Sequence, residues 1–224
     1  MSHLEYQPSY RRNLPHLQPL GATFFITFRL AGSLPHSAVA QWNRERVWLG
    51  QLAETNPPHY ERRKQDFERY WFAKFESILD GCECGPVWLN DERVAGQVAE
   101  SLHHRDGKVY LLDSFSIMPN HVHVVFKPLP IPRPVRLQEP QHSKDGEEPY
   151  HSLASIMQSL KGFTAFEANR LLTREGEFWA HESYDHYIRS AEELHRIIRY
   201  VVNNPVKAGY VSNWREWRWN YRRV

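Results

Sequence analysis

The sequence feature that most constrains the fold is a pair of strand patterns around Pro119-Asn120. Residues 109–118 and 121–127 are rich in β-branched and aromatic side chains, and the dipeptide between them is typical of a tight turn. We therefore predict an antiparallel hairpin. A third strand pattern, at residues 22–30, alternates Phe24, Ile26 and Phe28 with their neighbours.

Most of the chain between these strands shows the periodicity of helices. Apolar residues spaced three and four apart predict helices, and residues 178–188 are extended. The predicted helices cover about 37–54, 60–79, 93–104 and 153–172, with a last one starting at Ser190 and ending at Pro205 and Gly209. This order predicts an α+β fold, an RRM-like or ferredoxin-like antiparallel sheet with helices on one face.

Length and composition limit the class of protein. The 224 residues suffice for one domain with a substantial core, which we expect to span 1–224. The sequence has no apolar run of about 20 residues and no secretory signal, and its two cysteines cannot staple a fold, so we expect a cytoplasmic protein without a membrane partner. Six prolines fall within 128–150, which predicts a flexible loop.

Charge is concentrated near the C-terminus. From Arg189 onward the sequence has eight Lys or Arg against three Glu, with three tryptophans interleaved. Such a mixture suits a nucleic-acid backbone and unstacked bases. A solvated edge whose tryptophans contact the core is the simpler alternative, and both interpretations include a basic, aromatic tail at 212–224.

His121 and His123 lie two apart on the second hairpin strand, so their side chains share one face about 6.6 Å apart. Two imidazoles so placed can bind one divalent cation. Two histidines on a solvated face are the alternative. A zinc protease is disfavoured because HExxH is absent, and a two-histidine phosphoesterase would need HxT or HxS on two partner strands.

Tyr200 and Asn204 form a second pair, one turn apart on one flank of the last predicted helix. A tyrosine on a helix flank is usually half-buried surface. Next to an amide that binds a metal, it can instead be a nucleophile, because a cation polarises the phosphate under attack.

Taken together, the segments MPNHVHVVF, LKGFTAFEANRLL, FWAHESYDHYIR and YVVNNPVKAGYV closely resemble the REP-associated tyrosine transposases, relatives of the single-tyrosine HUH transposases of bacteria. The segment RRNLPHLQPLGATFFITFRLAGSLP is similar to the opening of this family, so the resemblance covers nearly the whole chain. It implies the HUH endonuclease architecture, in line with the α+β prediction.

The resemblance also implies a site. His121 and His123 match the histidine pair that binds Mg²⁺ or Mn²⁺, Tyr200 matches the nucleophile, and Asn204 matches the position of a third metal ligand. Family members cut single-stranded DNA beside REP-type hairpins and rejoin it through a 5′-phosphotyrosine intermediate.

We expect phosphate contacts from Lys161 on the fourth predicted helix and from Arg222 and Arg223 at the C-terminus. Recognition of the particular hairpin is expected instead from residues ahead of the first strand, such as Arg11 and Arg12. No nucleotide cofactor is expected, since GxxxxGK[ST] is absent. A monomer is expected, with a dimer as the alternative. Two other functions remain open: a non-catalytic RRM-like module that binds single-stranded nucleic acid, and a metal-dependent phosphodiesterase with a water nucleophile.

Overall fold

The computed structural model describes residues 21–131 and 150–223. Its regular elements are, in chain order, β1 (Thr23–Leu30), α1 (His36–Thr55), α2 (Pro57–Gly81), α3 (Glu92–Arg105), β2 (Tyr110–Ile117), β3 (His121–Pro128), α4 (Leu153–Leu171), β4 (Trp179–Ile188), α5 (Ala191–Lys207) and β5 (Asn220–Arg222). Short 3₁₀ helices at Trp88–Asn90 and Trp214–Glu216 connect some of them. Arg11, Arg12 and most of the proline-rich loop lie outside the described residues.

The five strands form one antiparallel sheet in the order β4-β1-β3-β2-β5. The predicted hairpin is present as β2 and β3, and β3 is the central strand. The α+β prediction with an antiparallel sheet is confirmed.

One face of the sheet is covered by α3 and α4. Alternate residues of β1 and β3 point to this face, where Ile26 and Val124 pack against Val98 of α3 and Leu160 of α4 in the main core. Asp91 caps α3 as its sequence position suggests, accepting a hydrogen bond from the Arg93 amide.

The other face is covered as well, so the prediction of helices on one face is wrong. Phe25 and Val125 form a second apolar cluster with Val201 of α5, and Phe72 of α2 packs against it. The physical reason lies in the apolar stripe of α5, which needs burial, while the alternate residues of β1 and β3 present a second apolar surface.

Two further elements differ from their predictions. α5 does not end at Pro205 but continues to Lys207. A proline removes only one backbone donor from a helix, and the amides of Ala208 and Tyr210 still donate to the carbonyls of Asn204 and Pro205. The predicted tail contains a strand: β5 pairs with β2 and completes the sheet. Its three residues are too few to show strand alternation in the sequence.

Helices α1 and α2 form a hairpin that joins the sheet through two connections, residues 31–35 and 82–87. The connections touch at Gly32 and Gly85, both at positive φ. A Cβ at Gly85 would overlap the Gly32 carbonyl, so this close approach requires glycine.

Candidate active site

The two predicted histidines meet on the face of β3 that α2 and α5 cover. His121 and His123 are fully buried, and their Nε2 atoms lie 3.0 Å apart. The alternation of the strand places them together, and Val122 and Val124 on the opposite face belong to the core. The alternative of two histidines on a solvated strand face does not hold in this structure.

Each histidine is fixed through its other ring nitrogen. Nδ1 of His121 lies 2.7 Å from Oδ1 of Asn120, and Nδ1 of His123 lies 2.8 Å from Oγ1 of Thr27. The amide of Asn120 donates to the Leu79 carbonyl at 3.1 Å, so its Oδ1 is the acceptor for His121. The proton of His121 is therefore on Nδ1, and Nε2 presents a lone pair to the site, as a metal ligand does.

A carboxylate from α2 completes a three-residue group. Glu76 is 3% exposed, and its Oε2 lies 3.2 Å from Nε2 of His123. The candidate ligand atoms of Glu76, His121 and His123 all lie within 4.8 Å of one another, so this buried group could bind a metal ion. Sequence reasoning missed Glu76. The sequence did contain a signal: Glu76 lies at helical spacing between Phe72 and Leu79, on an apolar face of the helix. A carboxylate buried on such a face needs a charged or hydrogen-bonding partner, which would have pointed to a site.

A second carboxylate lies one turn further along α2. Oδ1 of Asp80 lies 4.0 Å from Nε2 of His121 and, among the described residues, has no hydrogen-bond partner. Oδ2 of Asp80 accepts a hydrogen bond from Nζ of Lys207 on α5 at 2.7 Å. Asp80 was likewise absent from the sequence prediction.

Tyr200 reaches the same place from α5. Its hydroxyl donates a hydrogen bond to Oε2 of Glu76, and its ring centre lies 5.6 Å from that of His123. The predicted nucleophile and the predicted histidine pair are thus neighbours, joined by a residue that the prediction did not contain.

Asn204, the predicted third ligand, lies one turn after Tyr200 and is fully buried. Neither Oδ1 nor Nδ2 of its side chain has a hydrogen-bond partner among the described residues. A buried amide without partners is costly, so its place suits a residue that binds something further.

The protonation states suit metal ligands. Burial acts to raise the pKa of Glu76, but the interactions with His123, and then with His121 and Tyr200, together outweigh it and hold that pKa at about 2. Burial, and then the neighbouring His123, lower the pKa of His121 to about 3. Burial, and then the charge of Glu76, raise the pKa of Tyr200 above that of an ordinary phenol. The site therefore holds a carboxylate, a neutral imidazole and a protonated phenol.

Of the predicted DNA-contacting residues, the three that the structure describes lie away from this cluster. Lys161 is on α4, across the sheet, where its ammonium donates to the carbonyls of Ala180 and His181 at 2.6 and 3.0 Å. Arg222 is exposed on the edge strand β5. Arg223 forms an ion pair with Asp106, in which one guanidinium nitrogen lies 2.6 and 2.7 Å from the two carboxylate oxygens. Their role in binding DNA stays a prediction.

Within the described part of the chain, no helix combines the length and apolar character that crossing a membrane requires. No protein-family model matches the sequence.

A curated protein of Haemophilus influenzae named "Putative REP-associated tyrosine transposase" is 28% identical over 101 residues, 45% of this chain. The match spans 52% of that protein, so it covers about half the length of the relative. A solved REP-associated tyrosine transposase bound to a REP hairpin aligns over 96% of this chain and 82% of its own, with TM-score 0.47 and 13% identity. The similarity to proteins of this name, first indicated by the sequence motifs, is confirmed.

Proposed function

We propose that this protein is a REP-associated tyrosine transposase, which cuts and rejoins single-stranded DNA beside REP-type hairpins. The observation that carries the proposal is the hydrogen bond from Tyr200 to Glu76, next to the paired Nε2 atoms of His121 and His123. A nucleophile and a set of metal ligands converge there from α5, α2 and β3. The resemblance in sequence motifs and the match to the Haemophilus protein support the same activity.

We propose Mg²⁺ or Mn²⁺ as the cofactor. Two imidazoles and a carboxylate fit Mn²⁺ well, while the amide of Asn204, which has no hydrogen-bond partner in the described part of the chain, adds an oxygen of the kind that both cations accept. His121, His123 and Glu76 would hold the cation, with Asn204 as a further ligand. Bound there, it would polarise the scissile phosphate and offset charge that builds on it during attack.

The residues of the chain account for the remaining chemistry. The phenolic oxygen of Tyr200 gives up its proton as it attacks phosphorus, the bond from phosphorus to the 3′ oxygen breaks, and the departing oxygen takes up a proton to become a 3′-OH, so that one proton is released and one is taken up. The 5′ phosphate is then esterified to Tyr200, and a second 3′-OH reverses the step to rejoin strands. Bond energy is conserved, so no nucleotide cofactor is needed.

We further propose that residues 1–224 act as one domain on a DNA hairpin, and that a monomer suffices. Lys161 and Arg222 remain the proposed phosphate contacts and Arg11 and Arg12 the proposed determinants of hairpin preference, whereas Arg223, which is paired with Asp106, is proposed to support the fold instead. Since the curated relative is matched over about half its length, its full activity is not transferred by that match alone.

The test uses a labelled DNA hairpin with a single-stranded flank, incubated with the full chain and Mn²⁺ and resolved under denaturing conditions. We expect a covalent protein–DNA adduct that EDTA prevents. Cleavage without an adduct would instead identify a phosphodiesterase with a water nucleophile. Binding without cleavage would identify a non-catalytic module, and either result would overturn the proposal.

A further inference from the structure

The last turns of α2 place two carboxylates against the histidine pair. Glu76 and Asp80 are four residues apart, so they share one face of the helix. Glu76 approaches His123 at 3.2 Å and Asp80 approaches His121 at 4.0 Å, one carboxylate for each imidazole. We propose that α2 supplies two cation ligands, Glu76 and Asp80, and that the bound cation fastens α2 over the catalytic site. This inference rests on the proposed function for the presence of a divalent cation.

Asp80 carries the new part of the inference. Its side chain is 10% exposed, and Oδ1 has no hydrogen-bond partner among the described residues. Leaving a buried carboxylate oxygen without a partner costs free energy. Lys207 satisfies Oδ2 only, so Oδ1 remains available on the side that faces His121. A cation between α2 and β3 would satisfy this oxygen.

The geometry of α2 explains why a cation would have a structural effect. Outside the carboxylates, α2 meets the sheet side of the site through Phe72, which contacts Phe25 and Tyr184, and through the Leu79 carbonyl, which accepts from Asn120. The chain itself also connects this hairpin to the rest of the fold, at residues 31–35 and 82–87, which touch at Gly32 and Gly85. A cation held from both sides would add a further link between α2 and β3.

The same arrangement closes the site. His121, His123 and Asn204 are fully buried, and the Tyr200 hydroxyl is engaged by Glu76. A DNA phosphate that reaches Tyr200 has to displace at least one carboxylate of α2. Glu76 and Asp80 would therefore both hold the cation in the resting protein, and a phosphate oxygen would replace Asp80 in the complex with DNA, where Glu76 stays a ligand.

The first test measures the affinity of the full chain for Mn²⁺ alone, by calorimetry and by the electron paramagnetic resonance of free Mn²⁺. Asp80→Asn is nearly isosteric and should weaken binding at least tenfold, as should Glu76→Gln. Lys207→Met breaks the same ion pair but leaves the Asp80 carboxylate, and it should bind Mn²⁺ at least as tightly as the parent. Asp66→Asn, an equal charge change at an exposed position of α2, should have no effect.

The second test measures hydrogen exchange in residues 72–81. Mn²⁺ should slow exchange there in the parent and in Lys207→Met, and it should fail to do so in Asp80→Asn. Parent-like affinity in Asp80→Asn, equal weakening in Lys207→Met, or exchange that ignores Mn²⁺ would each overturn the inference. Neither test uses DNA. A missing covalent adduct with these results intact would count against the transposase proposal alone.

Discussion

The hydroxyl of Tyr200 donates its hydrogen bond to Glu76, which lies 124 residues earlier in the chain. The bond connects α5 to α2 directly above the central strand of the sheet. Because burial, and then the charge of Glu76, raise the pKa of Tyr200, the phenol stays protonated in this arrangement. The proposed nucleophile is thus hydrogen-bonded to the same carboxylate that contacts His123.

Tyr200→Phe should abolish the covalent adduct and leave affinity for the hairpin within a few fold, because only the phenolic oxygen is removed. Denaturing gels measure the adduct, and fluorescence anisotropy measures binding. Tyr184→Phe is the matched control. Tyr184 is a partly buried tyrosine that packs against the same apolar cluster as Tyr200, and its variant should still form the adduct. An adduct that persists in Tyr200→Phe and disappears in Tyr184→Phe would reassign the nucleophile.

Asn120→Ala should destabilise the fold and weaken Mn²⁺ binding together. It leaves the Leu79 carbonyl and Nδ1–H of His121 without partners, at a cost of about 1–3 kcal/mol. Urea unfolding and Mn²⁺ titration measure the two effects. Asn90→Ala, an exposed asparagine, should change stability by less than about 0.5 kcal/mol. Unaltered Mn²⁺ affinity in Asn120→Ala would show that His121 needs no such support.

Comparing Gly85→Ala with Gly107→Ala should separate two contributions to the loss of stability: steric overlap with a neighbouring chain segment and the strain of a positive φ. Both glycines have positive φ, at 78° and 72°, so both substitutions incur about 1–2 kcal/mol for a left-handed residue. A Cβ at Gly107 meets nothing within 4 Å, whereas one at Gly85 overlaps the Gly32 carbonyl. Urea unfolding should therefore show a larger loss for Gly85→Ala, and equal losses would mean that the two connections separate without cost.

Asp91 should contribute a pH-dependent part of the stability. Its hydrogen bond with the Arg93 side chain lowers the pKa of Asp91 to about 2, below its ordinary value. A carboxyl whose pKa is depressed by folding stabilises the protein above its unfolded pKa, and this contribution is lost as the pH falls from about 4 toward 2. Asn also caps helices, so Asp91→Asn should lack this component. Urea midpoints of the two proteins should converge as the pH falls toward about 2, and a constant difference would contradict the assignment.

Two adjacent arginines should behave differently. Arg222 is exposed, and Arg222→Ala should reduce the salt dependence of hairpin binding by roughly 0.7 in log–log slope. Arg223 is tied to Asp106 and the Leu112 carbonyl, so Arg223→Ala should instead lower stability by about 1 kcal/mol. Salt titrations and urea unfolding distinguish them, and a reversed outcome would move the DNA contact to Arg223.

Much of the fold follows from local periodicity. The strand patterns at 22–30, 109–118 and 121–127 correspond to β1, β2 and β3 within a residue or two, because half-buried strands must alternate. β5 was missed since three residues carry no period. The second helical layer was missed for another reason: Phe25 and Val125 are apolar on the face that also carries the histidines, and the sequence does not say what covers them.

The site divides in the same way. His121, His123, Tyr200 and Asn204 were recognisable because short segments carry them. Glu76 and Asp80 lie on a helix whose stronger apolar stripe, with Trp71 and Phe75, packs against α1. Their proximity to β3 depends on how that helical hairpin folds back over the sheet, which is a long-range relationship that no local pattern encodes.

The central position of β3 has a consequence for reversibility. β3 is hydrogen-bonded along both edges, to β1 and β2, whereas side chains hold α2 and α5 against it. Sideways displacement of β3 would break two ladders, while a helix can shift by repacking on the microsecond-to-millisecond scale. A reaction that must run forward and backward on one phosphate needs an immobile anchor and a mobile attacking group. In the proposed reaction the histidines of β3 would be the immobile anchor, and α5 and α2 would carry the groups that move, Tyr200 and Asp80.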